Sequence, residues 1–386
     1  MSGFNDASEG DFDRVFFTDD ELFAQFVGGM LWTCGYNLRG PLGDGTTTNR
    51  SSPVTTAGGG TNWKQVACGS EHTSAIKTDG TLWTWGYNIR GPLGDGTTTS
   101  RTSPGTTAGG GTNWKQVACG SEHTAAIKTD GTLWTCGTNY GGQLGDGTTT
   151  SRSSPGTTAG GGTNWKQVAG GMGHTAAIKT DGTLWTWGDN PYGQLGDGTT
   201  TFRASPGTTA GGGTNWKQVA GGANHTAAIK TDGTLWTWGY NNYFGHLGDG
   251  TTTNRSSPGT TAGGGTNWKQ VACGANHTAA IKTDGTLWTW GFGGYGVLGD
   301  GAATNRSSPV TTAGGGTNWK QVAGAYTHTA AIKTDGTLWT WGRDNYGQLG
   351  DGTTTTRSSP VTTAGGGTNW KQVAGGLYHT AAIQYN

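Results

Sequence analysis

Short runs of alternating apolar and polar residues recur along this chain with the period of a β-strand. In residues 222–239, a small and β-branched run (225–229) is followed by Asp232-Gly233. A second run then sets Leu235 and Thr237 against Trp236 and Trp238. Successive strand residues face opposite ways, so the pattern predicts a β-hairpin with indoles on one side. Glycine takes the positive φ that so tight a turn demands, which makes Asp-Gly the expected corner.

Close copies of this hairpin span the chain. Asn-Trp-Lys-Gln-Val-Ala occurs seven times, with its tryptophan at Trp63, Trp114, Trp165, Trp216, Trp268, Trp319 and Trp370. The step is 51 residues everywhere except the 52 between Trp216 and Trp268. A fixed period of this length overrides the usual reading of chain length as domain count, because each unit buries its apolar face only against its neighbours. The first copy opens at Leu31-Trp32-Thr33 without a preceding His-Thr-Ala-Ala-Ile run, and the last ends on that run at His379–Ile383. These two halves complete one hairpin, as in a closed ring that leaves no sheet edge exposed. The expectation is an all-β, seven-bladed β-propeller over residues 30–386, closed by pairing of its N- and C-terminal strands.

Residues 1–29 stand outside the repeat and are read as an acidic arm. They hold seven acidic residues against Arg14, a net −6, and the remainder carries +6. Thr18-Asp19-Asp20-Glu21 matches a helix capping box, followed by an apolar stripe of Leu22, Phe23, Phe26 and Val27. A short helical arm is expected, with Phe17, Leu22, Phe23 and Phe26 as anchoring residues toward a protein assembly partner. The positive excess of the repeats is spread evenly along the sequence, so no nucleic-acid partner is expected. No secretory signal pattern and no membrane-length apolar run is present, so synthesis in the cytoplasm without membrane insertion is expected.

Seven equivalent copies also constrain the chemistry. An arginine follows an aspartate by six residues in every copy, from Asp44 and Arg50 to Asp351 and Arg357, as a structural ion pair would. A histidine precedes threonine in every copy, and catalysis needs one unique geometry rather than seven, so these are read as structural residues and no catalytic site is assigned. Leu-Gly-Asp-Gly-Thr-Thr-Thr lacks the alternating oxygen ligands of a calcium loop, and no metal or cofactor is assigned. The five cysteines each replace tryptophan or glycine of sister copies and are expected as free thiols.

Gly-x-x-His-Thr-x-x-Ile-x-x-Asp-Gly-x-Leu-Trp-x-Trp-Gly, continued by x-Asn-x-x-Gly-x-Leu-Gly-x-Gly, resembles the repeat of the regulator of chromosome condensation family. The resemblance covers residues 30–386 and implies a seven-bladed propeller. Members that exchange guanine nucleotides use a wedge between strands and a basic tail. Here the longest insertion is one residue in the 240–246 loop, and the arm is acidic. Members that sense ultraviolet light carry Trp-Arg before His-Thr, where this chain has Ser70-Glu71, Ser121-Glu122 and five other pairs. The chain is similar to the phage and bacterial type of the family, without the wedge.

Self-alignment concentrates the differences between copies in two places: the dipeptide before His, and the loop after Trp-Gly. The first supplies Glu71, Glu122, Met172, Asn224, Asn276, Tyr326 and Tyr378; the second supplies Arg39, Arg90, Tyr140, Tyr192, Tyr243, Phe244, His246, Tyr295 and Tyr346. Tyrosine, asparagine, arginine and glycine form a recognition vocabulary of rigid aromatic area and adaptable polar groups. These residues are the candidate binding face for a protein or glycan. The expected function is a non-enzymatic interaction propeller, a structural or adhesion component such as a phage virion or tail surface protein. The alternative is a cytosolic regulator, acting as a GTPase exchange factor or an enzyme inhibitor.

Overall fold

The computed structural model describes residues 28–385. Those residues form seven four-stranded antiparallel sheets. In the first, Trp63–Cys68 is innermost, followed outward by His72–Lys77, Leu82–Gly86 and Arg101–Thr106. Five more blades repeat that order. The seventh is composite: Met30–Gly35 and Arg50–Thr55 supply its outer strands, and Trp370–Gly375 and His379–Gln384 its inner ones. Met30–Gly35 pairs with His379–Gln384 over six residues, from Met30 opposite Gln384 to Gly35 opposite His379. The ring is therefore closed as the split hairpin predicts. Gly29 is already paired with Trp63. The expected helix and the anchoring residues Phe17, Leu22, Phe23 and Phe26 lie outside the described residues.

No blade has a core of its own. Ala227, Ile229 and Leu235 on one face of a blade pack against Trp268, Val271, Ala280 and Trp290 of the next. The opposite face of the same blade presents Trp216, Val219, Ala228 and Trp238 to the blade before. At about 25 cal/mol per Å² of apolar surface buried, such interfaces make up most of the hydrophobic stabilisation. Within a blade, the innermost tryptophan meets the third-strand indoles edge-on, as Trp216 does Trp236 and Trp238 at 6.3 and 6.1 Å. The Asp-Gly corners form as expected, with Gly233 at φ 79°.

Three sets of hydrogen bonds cross every blade boundary. Gln65 Nε2 donates to the Val117 carbonyl, and the Val117 N–H donates to Gln65 Oε1, both at 3.0 Å. The N–H half of this clamp recurs at all seven boundaries, including Val66 onto Gln372 where the ring closes. In the second set each histidine meets the next blade's threonine, His225 Nε2 to Thr278 Oγ1 at 2.9 Å for example. That hydroxyl donates its one proton to the His246 carbonyl, so it accepts from the histidine and fixes the Nε2–H tautomer. Gly222 lies against this ring: a Cβ there would stand 2.2 Å from His225 Cε1. In the third set a third-strand Trp Nε1 donates to a loop carbonyl of the preceding blade, as Trp85 does to Pro41 at 2.8 Å. Cys34 and Cys136 stand in for tryptophan in two copies, and their thiols reach the corresponding carbonyls of Gln348 and Pro92. All five cysteines are free thiols. All seven Asp–Arg pairs form, Asp351 with Arg357 at 2.9 Å and Asp95 with Arg101 among them.

The seven repeat histidines are buried and neutral. Burial lowers His72, His174, His277, His328 and His379 to about 3 and His123 to about 4. An imidazole in the unfolded chain titrates near 6.5. Below that pH the unfolded state binds protons that the folded state refuses, so stability falls on acidification; above it the histidines contribute no pH dependence. Each adds a slope of about 1.4 kcal/mol per pH unit. Urea unfolding is therefore expected to show little histidine-linked change between roughly pH 7 and 8.5. A steep loss should set in below about 6.5, with several protons taken up on unfolding. A midpoint unchanged down to about pH 5 would contradict the buried neutral state.

Candidate binding face

Each blade makes two connections on one face of the ring: a short one from its innermost to its second strand, and a long one from its third to its outermost strand. These are the two places where the copies differ. They are joined by the backbone: the Tyr87 N–H donates to the Glu71 carbonyl at 2.8 Å, and Tyr240 to Asn224 and Tyr36 to Tyr378 do likewise. Around the channel mouth the short connections also bond to one another in a closed circle, from Ser70 to Ser121 at 3.0 Å round to Leu377 back to Ser70 at 3.1 Å. The variable side chains thus stand on a continuous hydrogen-bonded frame. The channel beneath holds about 220 Å³ and is lined by the inner strands.

On this frame the aromatic residues meet across blades. Tyr36 lies 5.3 Å from Tyr346, which lies 5.1 Å from Tyr378; Tyr192 is 4.7 Å from Tyr240, and Phe244 5.1 Å from Phe292. The Arg39, Arg90 and Arg343 guanidiniums sit over Tyr87, Tyr140 and Tyr295 at 5.7, 5.1 and 4.9 Å. Such stacks hold both partners rigid. Tyr243 and Tyr295, with φ of 66° and 61°, are the two non-glycine residues of positive φ among the described residues. Both are exposed, so the backbone accepts some strain where it displays a ring to solvent. Glu71 is half-buried; burial raises its carboxyl, Arg39 opposes this, and Glu122 on the next blade adds to it. Glu122 accepts from the Thr138 hydroxyl at 3.0 Å.

Fifteen of the sixteen candidate face residues are exposed or partly exposed, and His246 is the exception. Its ring is fully buried against His225, Tyr240 and Phe244, and its carbonyl accepts from Thr278 and Trp290. Sister copies carry Pro41, Pro92, Gln143, Gln194, Val297 and Gln348 there, so His246 fills a structural slot. Phe202, 54% exposed, is a face residue that the dipeptide and loop-tip comparison missed. Its counterparts are Asn49, Ser100, Ser151, Asn254, Asn305 and Thr356, a contrast that extending the self-alignment to the end of the loop would have caught.

The opposite face is made of the repeated Asp-Gly corners and glycine-rich connections. One lysine per innermost strand (Lys64, Lys115, Lys166, Lys217, Lys269, Lys320 and Lys371) stands at the same register there. A charge spaced evenly along the sequence becomes a ring in space. Burial first, and neighbouring lysines second, lower Lys64 and Lys320. Among the described residues no three His, Cys, Asp or Glu side chains converge as metal ligands, and no helix is long and apolar enough to cross a membrane.

The RCC1-like domain model matches residues 162–386, and the Regulator of chromosome condensation (RCC1) repeat model matches 28–76, 79–127 and 130–178. The chain is 34% identical to the Ultraviolet-B receptor UVR8 of Arabidopsis thaliana, over 87% of this chain and 78% of that protein. It is 30% identical to the human E3 ubiquitin-protein ligase HERC2 over 81% of this chain, but it spans 7% of that protein's length. Among solved structures, human WBSCR16 superposes with a TM-score of 0.81 at 22% identity, covering 93% of this chain and 99% of that one. Prp20p from Saccharomyces cerevisiae, whose structure is described with its binding to Gsp1p and histones, gives 0.82 at 20% identity, covering 94% and 92%. At these identities the two structures establish the fold alone.

Because His246 occupies a slot that glutamine fills in three sister copies, His246→Gln is expected to fold with stability within about 1 kcal/mol of the parent at neutral pH. It should also remove one of the groups that take up protons on acid unfolding. Chemical denaturation at pH 7.5 and 5.5 checks both; a loss of more than about 3 kcal/mol at pH 7.5 would show that the imidazole itself is required.

Proposed function

Since the chain belongs to the regulator of chromosome condensation repeat family, we propose that it is a non-enzymatic binding module that engages a protein partner through the face carrying its variable loops. One observation carries this reading. All nine exposed large hydrophobic side chains among the described residues (Leu38, Ile89, Tyr140, Met172, Tyr192, Phe202, Tyr243, Tyr295 and Tyr326) lie in the connections of that one face. Apolar and aromatic side chains gathered on one side of an otherwise polar surface mark an interaction site. Tyrosine and arginine held rigid by stacking are residues that carry binding energy at such sites.

The names of the relatives fit a regulatory setting: a receptor, a ubiquitin ligase, and in Caenorhabditis elegans an X-linked retinitis pigmentosa GTPase regulator homolog. A regulator acting by protein contact is therefore the role proposed here. The virion placement and the glycan ligand rest on the sequence reading alone and form no part of it. Attachment of an assembly partner through residues 1–29 is a separate proposal that the same experiment separates.

Affinity capture from the native source, with quantitative mass spectrometry, compares three forms: the full chain, the chain lacking residues 1–27, and a Met172→Ser, Tyr243→Ser, Tyr295→Ser, Tyr326→Ser variant. The surface changes should each alter stability by no more than about 0.5 kcal/mol. A partner kept by the truncation and reduced at least about tenfold by the fourfold variant is the expected result, since a tenfold loss is only about 1.4 kcal/mol. A partner kept by the fourfold variant and lost on truncation would move recognition to the arm.

A further inference from the structure

In five blades an asparagine amide ties the long connection together. Asn37 Nδ2 donates to Asp44 Oδ1 at 3.0 Å, to the Thr46 and Thr48 carbonyls at 3.1 Å each and to Thr46 Oγ1 at 3.3 Å, while its Oδ1 accepts from the Leu42 N–H at 3.1 Å. Asn88, Asn139 and Asn190 repeat the arrangement, and Asn241 repeats it apart from the second threonine carbonyl. Every group that surrounds the Nδ2 position is an acceptor, and only a donor satisfies it.

In the sixth blade the residue is Asp344. Its Oδ1 keeps the leucine contact, accepting from the Leu349 N–H at 2.9 Å. That places Oδ2 where the sister copies have an NH₂. Asp344 is fully buried, and Oδ2 has no hydrogen-bond partner. Asp351 Oδ1 is in place, accepting from the Thr353 N–H at 2.9 Å and hydroxyl at 2.6 Å, and Thr353 and Thr355 hold the sequence positions whose carbonyls face the amide of Asn37. Arg357 offsets Asp351 through its other oxygen at 3.0 Å, as its counterparts do in every blade. Arg343, beside Asp344 in the chain, is engaged over Tyr295 and Tyr378. When ionised, Asp344 and Asp351 together carry one negative charge more than Arg357 offsets, and leaving that charge bare is costly.

We propose that this pocket binds a calcium ion through Asp344 Oδ2, Asp351 Oδ1 and the Thr353 and Thr355 carbonyl oxygens. The donor set is all oxygen, with two carboxylates and backbone carbonyls, which suits a hard cation. The spacing suits it too. Adjacent ligands at right angles around calcium, each about 2.4 Å from the ion, stand about 3.4 Å apart. The same positions around Asn37 are 3.0–3.1 Å from the amide nitrogen, so the oxygens need to open by only a few tenths of an ångström. Thr355 is exposed, so water can complete the coordination shell. Burial first, with Asp351 adding and the Leu349 N–H and Arg357 opposing, raises the Asp344 carboxyl to about 7, so a proton competes with the ion for the same oxygen. Tyr346, two residues on, is a binding-face residue, so the ion would brace the loop that presents it.

Asp344→Asn restores the amide of five sister copies and is therefore a variant that keeps the fold. After chelation, the parent protein is expected to bind about one calcium per chain by isothermal titration calorimetry and to gain several degrees in Tm on addition of about 5 mM calcium chloride. Terbium at the site should show luminescence sensitised by the nearby aromatic residues. Asp344→Asn should show no calcium heat, no terbium signal and no calcium-dependent Tm. Equal calcium responses in the two proteins, or none in the parent, would overturn the proposal. A parent Tm that ignores calcium but gains on that of Asp344→Asn between about pH 8 and 6, over the histidine-linked loss common to both, would assign the pocket to a proton instead.

Discussion

The structure depends on the seam between blades, where a glutamine side chain completes what a sheet edge leaves open. The innermost strands do not hydrogen-bond to one another as a sheet. The seven glutamines from Gln65 to Gln372 each accept from a valine N–H of the next blade, and six also donate to its carbonyl. A buried backbone group left unpaired costs about 1–3 kcal/mol, so seven sets of them around a channel would outweigh much of a domain's net stability. The histidine–threonine bonds and the indole-to-carbonyl bonds repeat this solution farther out along the same seams. Every blade packs on both neighbours, and the pairing of Met30–Gly35 with His379–Gln384 gives the first and sixth blades the neighbour that an open array would lack.

The same economy explains why variation sits where it does. Positions that face a seam are held by a partner in the neighbouring blade, 52 or 53 residues away for the glutamines and histidines inside the ring, and repeat almost without change. Side chains at the tips of the connections meet no such demand, while the backbone below them is fixed by the circle from Ser70 to Leu377. The ring can therefore alter Tyr, Arg, Glu and Met on one face without altering its frame. Stacking of Arg343 over Tyr295 and of Arg39 over Tyr87 makes these loops a preorganised surface. Preorganisation lowers the entropy lost on binding.

Much of this was legible in the sequence, because internal repetition works as an alignment of the chain with itself. Blade number, the split closing blade, the Asp–Arg pairs and the structural role of the repeat histidines all followed from a pattern present in seven copies. The single departures were harder. His246 looked like a loop residue because its loop is longer by one, yet register with Gln194 and Gln348 makes it a core position. Phe202 escaped notice at the end of a conserved-looking threonine run. The Asn-to-Asp change at Asp344 reads as conservative in sequence; only the ring of acceptors around the amide in sister copies shows that it reverses the hydrogen-bonding demand. The two variable sites per repeat also gave no sign of sharing a face until the strand directions brought them together.

The most direct test of recognition by the loop face is site-specific photo-crosslinking in the native extract. A photoreactive amino acid is placed at Tyr243 or Tyr326 on that face, or at Asp232 in an Asp-Gly corner on the other. A discrete protein adduct from Tyr243 and Tyr326, and none from Asp232, is expected. An adduct from Asp232 with none from the two loop positions would contradict it and transfer recognition to the lysine-ringed face.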